Sequence, residues 1–380
     1  MAFEFATVNR IVFGPGKISE AGTLAAGIGK RALVVTGKSP DRAASLLERL
    51  IPKNIAVTTF SIAQEPTIER IDQGVKIAKE ADCDLVIGFG GGSVIDSAKA
   101  IAALATNPGG ALEYLEVIGE GNALEDPPLP VIAIPTTAGT GSEVTRNAVL
   151  ASPEHQRKVS LRSPLMLPTI ALIDPQLTYS VPPDLTAQTG MDALTQVIEP
   201  LVSNQANPLT DAICREGIRR AGTSLRAACE NDPAAREAMA LVSLFGGLAL
   251  ANAKLGAVHG FAGVIGGMFP APHGAVCAIL LAPVMLTNLR ALHQRAPQSE
   301  ALQKYTEIGV MLAGKPSADA GVAQVFQLTA ALQIPKLSSY GITADDLPTI
   351  VEKSINSSSM KGNPLPLTPQ ELEETLRAAL

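Results

Sequence analysis

The sequence predicts an α/β domain built on a parallel sheet, followed by an all-α helical domain. Three observations predict this. Short β-branched runs alternate with helical patterns through roughly the first half of the chain. From Pro183 onward strand-like runs largely disappear. Long Ala/Leu-rich segments broken by Gly and Pro then fill the remainder. The boundary falls near residue 180, giving domains at residues 1–180 and 181–380, and 380 residues that are 46% hydrophobic suffice for two cores.

The elements follow in order. "RALVVTGK", "IAVTTFS", "DLVIGFG" and "PVIAIP" read as strands, and "DRAASLLERL", "IERIDQGVKIAKEA" and "SVIDSAKAIAALA" as the helices between them. "KVSLRSPLMLPTIALIDP" reads as an extended, hairpin-like segment. In the second half, "DPAAREAMALVSLFGGLALANAKL" and "PQSEALQKYTEIGVMLAG" are helical, and "TPQELEETLRAAL" opens with Thr368 as N-cap and Glu371 three residues later, a capping box.

The net charge of -6 argues against nucleic acid or an anionic membrane surface as a partner, because no basic stripe is present. The N-terminal "MAFEFATVNR" lacks the apolar core of a secretory signal, and the run "LVSLFGGLALANA" is too short and too interrupted by glycine to span a bilayer. A cytoplasmic protein is the expectation, with a homodimer the default assembly. Cys83, Cys214, Cys229 and Cys277 are scattered without paired spacing and read as reduced core residues.

Two turns carry candidate ligand chemistry. "DLVIGFGGGSVIDSAKA" places Gly91, Gly92 and Ser93 between a strand and a helix, where glycines let a pyrophosphate approach unpaired N–H groups at the helix start. The same turn also serves simply to connect tightly packed elements. "TTAGTGSEVT" offers Thr136, Thr137, Thr140 and Ser142 as hydroxyl donors at a strand's carboxyl end, where open α/β sheets bind ligands, or as caps of their own backbone. A third turn, "VVTGKSPDRA", presents Gly37, Lys38 and Ser39 with no acid to repel a 2′-phosphate, which favours NADP over NAD.

The helical half holds a second constellation. Asp192 and Gln196 in "GMDALTQVIEPLVS" share one helix face. His259 and His273 are 14 residues apart, roughly 20 Å on one straight helix, but Gly266, Gly267, Pro270 and Pro272 interrupt it and permit a reversal. Asp192, His259 and His273 then form an Asp/His/His set suited to a divalent ion with an open position; the alternative is two satisfied structural histidines.

"GGGSVIDSAKA", "PTTAGTGSEVT", "GMDALTQVIEPLVS", "VHGFAG" and "PHGAVCAILLAPV", in this order over nearly the whole chain, resemble the iron-containing (group III) alcohol dehydrogenase family. The resemblance implies the dehydroquinate synthase-like fold of that family, with a dinucleotide-binding α/β domain, a helical domain and an active site in the cleft between them. It implies a divalent metal, Fe2+ or Zn2+, at the positions of Asp192, Gln196, His259 and His273. It places Lys158 near the cofactor's phosphate and ribose. Two positions depart from the pattern: Gln196 stands where the family usually has histidine, and Gly263 where a second histidine usually follows the first by four residues. Gln196 is thus either a weak fourth ligand or an outer hydrogen-bonding residue.

The expected activity is an NAD(P)-dependent alcohol dehydrogenase or aldehyde reductase acting on a small aliphatic substrate, with Asp192, His259 and His273 holding the catalytic ion. Asn147, Leu250 and Phe261 are candidate pocket residues. Two other readings compete: a reductase of an unsaturated oxo-acid, resembling the maleylacetate reductase branch, and an NADPH-binding protein with weakened catalysis.

Overall fold

A computed structural model describes residues 2–155 and 157–380. The chain forms two compact units, one of residues 7–137 and 141–180, the other of residues 1–6, 138–140 and 181–380.

The first unit is built on a six-stranded sheet of β1 (Arg10–Phe13), β2 (Arg31–Thr36), β3 (Ala56–Ser61), β4 (Leu85–Gly90), β5 (Val131–Pro135) and β8 (Ile170–Ile173), in spatial order β1-β8-β5-β4-β2-β3. Every neighbouring pair is parallel. Parallel strands need crossovers, and these are supplied by helices on both faces, which is why whole strands such as "LVIGFG" are buried. Leu33, Val35 and Val86 pack on one face with Ile71, Val75 and Ile101 of α3 (Ile68–Glu80) and α4 (Gly92–Thr106). Ala32, Val34, Leu85 and Ile87 point the other way, onto Leu24, Ala25, Leu46 and Leu50 of α1 (Ala21–Ala26) and α2 (Ala44–Leu50). A short α5 (Ala111–Tyr114) precedes β5.

Two features differ from expectation. The antiparallel hairpin is formed by β6 (Asn147–Ser152) and β7 (Arg157–Arg162), upstream of where the sequence suggested one, and "IALI" joins the parallel sheet between β1 and β5. The physical reason lies between them: Ser163 caps a short turn over Pro164–Met166 that ends the hairpin, and all four residues of β8 are buried, as a central strand requires. β1 is a further strand, absent from the sequence reading.

The second unit is helical: α6 (Pro183–Val202), α7 (Pro208–Cys229), α8 (Pro233–Ala253), α9 (Ala257–Met268), α10 (His273–Arg295), α11 (Glu300–Ala313), α12 (Ala318–Ala331), α13 (Leu347–Ser354) and α14 (Pro369–Arg377). Several helices begin with Pro in the first turn behind a side-chain cap, where the missing N–H costs nothing. Asn207 caps α7, Asp232 caps α8, and Thr368 and Glu371 form the expected capping box of α14. One core unites these helices, with Leu194, Val197, Ile198, Ile218, Phe261, Leu280 and Tyr305 at its centre. α8 and α10, of 21 and 23 residues, are longer than the expected short apolar run and could cross a bilayer by length and composition. Most of each apolar window is buried within the protein, as in a core helix.

Candidate active site

The order of strands creates a switch point. From β2 the chain steps outward to β3, then returns past β2 to β4 and proceeds the opposite way through β5 to β8. The carboxyl ends of β2 and β4 therefore feed loops that diverge, leaving a crevice of the kind where open sheets take nucleotides. Gly37 and Ser39 follow β2, and Gly91, Gly92 and Ser93 follow β4. An ideal Cβ on Gly37 would lie 4.0 Å from Val94 of α4, so the two turns are close.

Glycine is required here for two different reasons. A Cβ on Gly88 would meet that of Ala98 at 2.8 Å, so Gly88 lets α4 lie against β4. Gly91 is the N-cap of α4 and makes no side-chain cap; the Val94 and Ile95 N–H groups bond its carbonyl, so Gly92 and Ser93 carry the N–H groups that remain for a ligand at the positive end of this 15-residue helix. A Cβ there would meet Thr137 Oγ1 at 3.3 Å, so Thr137 of the next strand turn borders the same spot.

A buried network that the sequence reading missed fixes this region. Lys99 on α4 is fully buried and donates to the Ser142 carbonyl and Thr145 Oγ1, each at 2.9 Å, and to the Asn147 carbonyl. It pairs with Asp96 at 3.0 Å, and Asp96 accepts from Ser142 Oγ and from the Val149 N–H at 2.9 Å. Burial lowers the Lys99 pKa, against the pull of Asp96 and Glu143. Asn147 is thus bound through its backbone into this network. Lys158, on β7, pairs with Glu65 at 3.0 Å. Of the hydroxyl turn, Thr136, Thr137 and Ser142 belong to the α/β unit and Thr140 to the helical unit.

In the helical unit the chain reverses between α9 and α10, and the His259 and His273 rings stand 5.4 Å apart, centroid to centroid. Asp192 Oδ1 lies 3.2 Å from His259 Nε2 and 3.8 Å from His273 Nε2. Cys277, one turn after His273 on α10, brings its Sγ to 3.8 Å from His259 Nε2 and 3.6 Å from His273 Nε2. One donor atom from each of Asp192, His259, His273 and Cys277 falls within 4.8 Å of every other. Cys277 is thus reduced and buried, as the sequence suggested, but it faces polar donors as well as the core.

The surroundings orient these groups. Glu199, seven residues after Asp192 on α6, accepts from His259 Nδ1 at 2.7 Å and from the Val258 N–H at 2.7 Å. With Nδ1–H committed to a carboxylate, Nε2 presents a lone pair to the cluster. Burial opposes a charged His259, but the Cys277 sulfur and the Asp192 and Glu199 carboxylates outweigh it and raise the ring's pKa well above 6.5. Burial also opposes ionisation of Asp192, yet the His273 and His259 rings and the Gln196 amide hold its carboxyl below the usual range. Burial pushes the Cys277 thiol up to about 12. Without a metal, this arrangement needs a proton on Nε2 to separate two Lewis bases.

These donors fit a divalent cation. Tetrahedral zinc with ordinary bonds to nitrogen, oxygen and sulfur spaces its ligand atoms about 3.3–3.6 Å apart; four of the six spacings in this cluster run from 3.2 to 3.8 Å, and all six lie within 4.8 Å. Gln196 is buried beside the cluster, and its Oε1 has no hydrogen-bond partner. His273, with a third of its side chain exposed, is the accessible member. A Cβ on Gly263, one turn beyond His259, would meet nothing within 4 Å. Of the suggested pocket residues, Phe261 is fully buried and packs in the helical core.

A parallel sheet with glycine turns at its switch point and an Asp/His/His cluster that could hold a metal ion mark the class: a two-unit protein of α/β and helical parts with a candidate metal centre. The chain matches the model of "Iron-containing alcohol dehydrogenase" over residues 8–175 and of "Fe-containing alcohol dehydrogenase family, C-terminal" over residues 186–380. It belongs to the iron-containing alcohol dehydrogenase family. Alcohol dehydrogenase 4 of Schizosaccharomyces pombe is 35% identical over 97% of this chain and 87% of its own length. The crystal structure of a 1,3-propanediol oxidoreductase superposes with a TM-score of 0.93 at 32% identity, covering 100% of both chains. Sulfoacetaldehyde reductase from Bifidobacterium kashiwanohense, solved in complex with NAD+, gives 0.88 at 29% identity over 100% of this chain and 99% of its own.

Proposed function

We propose that the protein is an NAD(P)-dependent alcohol dehydrogenase and aldehyde reductase, moving a hydride between nicotinamide and a small aliphatic alcohol or carbonyl with the help of a divalent cation. The observation that carries this reading is the convergence of Asp192, His259 and His273 on one point in a chain of this family. These three residues would hold the ion, which when bound supplies Lewis-acid polarisation of the substrate oxygen, while the nucleotide supplies or accepts the hydride.

The protein's own groups do the positioning. Glu199 holds the Nδ1 proton of His259 and so keeps Nε2 available. The first turn of α4 offers N–H donors to a pyrophosphate, with Gly91 leaving room and Thr136, Thr137 and Ser142 adding hydroxyls nearby. Lys38 is exposed after β2 with no acid in the Gly37–Ser39 turn, which supports a preference for NADP. Gly263 offers no side chain to carry a proton, so proton exchange with the substrate oxygen would run through cofactor ribose hydroxyls and water.

The test is elemental analysis of protein purified without chelator, alongside a reduction assay across short aldehydes and dicarboxylic oxo-acids with NADPH and with NADH. About one equivalent of metal, lost in Asp192→Ala, and aldehyde reduction supported best by NADPH are expected. Trace metal unaffected by Asp192→Ala, with turnover confined to oxo-acids, would replace this reading with a metal-independent reductase. Lys38→Ala should raise KM for NADPH and leave that for NADH unchanged; equal effects on both would remove the argument for NADP.

A further inference from the structure

Four side chains, not three, face the candidate cation position. Cys277 and His273 lie one turn apart on α10, so a single helix presents sulfur and imidazole to the same point. The sulfur is not an outlying neighbour. Its distances of 3.8 and 3.6 Å to the two imidazole nitrogens match the 3.2 and 3.8 Å spacings from those nitrogens to Asp192. Removing Cys277 from the set would leave one vertex of that polyhedron empty in a buried interior.

Gln196 on α6 is the other candidate for this vertex: its buried Oε1 has no hydrogen-bond partner and lies 3.3 Å from where a Cβ on Gly246 of α8 would stand. An amide oxygen is a neutral and weaker donor than a thiolate, and the Cys277 sulfur has spacings to both imidazole nitrogens close to those of Asp192.

We propose that Cys277 is a direct ligand of the divalent ion, completing an Asp192/His259/His273/Cys277 set that selects Zn2+ over Fe2+, with Gln196 outside the coordination shell. The inference rests on the metal-centre reading given above. Thiolate is a soft donor, and a set of one sulfur, two imidazoles and one carboxylate gathered within 4.8 Å of one another suits zinc. On binding, the S–H bond breaks, the sulfur–metal bond forms and the thiol proton passes to solvent. His273, with a third of its side chain exposed, would be the ligand nearest solvent.

The experiment reads coordination directly. X-ray absorption at the zinc edge of the full-length protein, loaded with one equivalent, should show one sulfur neighbour at about 2.3 Å. The Co2+-substituted protein should show a sulfur-to-metal charge-transfer band that disappears in Cys277→Ser and persists in Gln196→Ala. Chelator competition should find zinc affinity reduced at least about tenfold in Cys277→Ser and less than about threefold in Gln196→Ala, with zinc preferred to ferrous ion in the unaltered protein. Stoichiometric metal with only nitrogen and oxygen neighbours, or a charge-transfer band that survives Cys277→Ser, overturns the role of Cys277 while leaving the metal centre standing. Failure of any divalent ion to bind at one equivalent overturns both. The absorption measurement on unaltered protein decides the question even if the serine variant does not fold.

Discussion

His259 Nδ1 and Glu199 Oε2 are joined at 2.7 Å in the interior of the helical unit, and the same carboxylate receives the Val258 N–H at the start of α9. One acid thus fixes both the tautomer of a candidate ligand and the helix that carries it. Glu199→Gln keeps the size but offers an amide that can equally donate to Nδ1, which would move the ring proton to Nε2. Divalent-metal affinity should fall about 10–100-fold while the helical content is retained. Competition with a chromophoric chelator measures the first, and far-ultraviolet circular dichroism the second. Unchanged affinity would mean that His259 is oriented by packing alone.

Gly88 and Gly91 separate packing from ligand binding in the α/β unit. Gly88→Ala drives a methyl group to 2.8 Å from Ala98 Cβ, with Ile95 also within 3.4 Å, so α4 must move off β4. A loss of about 1–3 kcal/mol in stability is expected, measured by urea unfolding. Gly91→Ala meets only the Thr137 side chain, at 3.3 Å and beyond. Stability should change little, while affinity for the nicotinamide nucleotide, read by fluorescence titration, should fall at least about tenfold because the added methyl narrows the approach to the helix N-terminus. The reverse pattern would assign the glycine turn to packing throughout.

How much of this was legible in the sequence depends on what each residue's neighbours are in the chain. The reversal that unites His259 with His273 is written locally, in Gly266, Gly267, Pro270 and Pro272, and the capping box of α14 is likewise local. Cys277 was passed over because "AVCAILL" reads as core, although its spacing of four from His273 is the same signal that drew attention to Asp192 and Gln196. Glu199 carried a comparable signal: an acid two turns after Asp192, set among Val197, Ile198, Pro200 and Leu201. The Lys99 network could not be read this way, since its partners Ser142, Thr145 and Asn147 are more than 40 residues distant and two of them contribute backbone carbonyls. Such acceptors are provided by every residue type.

Glu143 makes the α/β unit sensitive to pH. Burial raises its carboxyl to about 7 from 4.5, against the pull of Lys99. A folded pKa above the unfolded one means that the contribution to stability is fully present below the unfolded value and is lost as pH rises through the folded value. As pH rises from 4.5 to about 7 this residue should therefore cost the folded state on the order of 3 kcal/mol. Glu143→Gln should flatten that slope and raise the thermal midpoint at the alkaline end. Calorimetry of both proteins across the range checks it, and identical slopes would place the sensitivity elsewhere.

Gly263 is a helical position at which an added Cβ meets nothing. It lies one turn beyond His259 on α9, and a Cβ built there has open space for at least 4 Å. Replacing glycine by histidine within a helix also restricts the unfolded chain, so Gly263→His should be as stable as the parent or more so by a few tenths of a kcal/mol. The chemical consequence should appear in turnover. If, as proposed, the proton exchanged with the substrate oxygen of the parent travels without a side-chain carrier, the variant adds an imidazole of ordinary pKa, about 6.5, that can take it up. The pH profile of aldehyde reduction should gain an inflection near that value, and the solvent isotope effect should change with it. If both are the same in the two proteins while the variant remains folded, the open space beside Gly263 is not on the proton's route, and the exchange occurs on another side of the site.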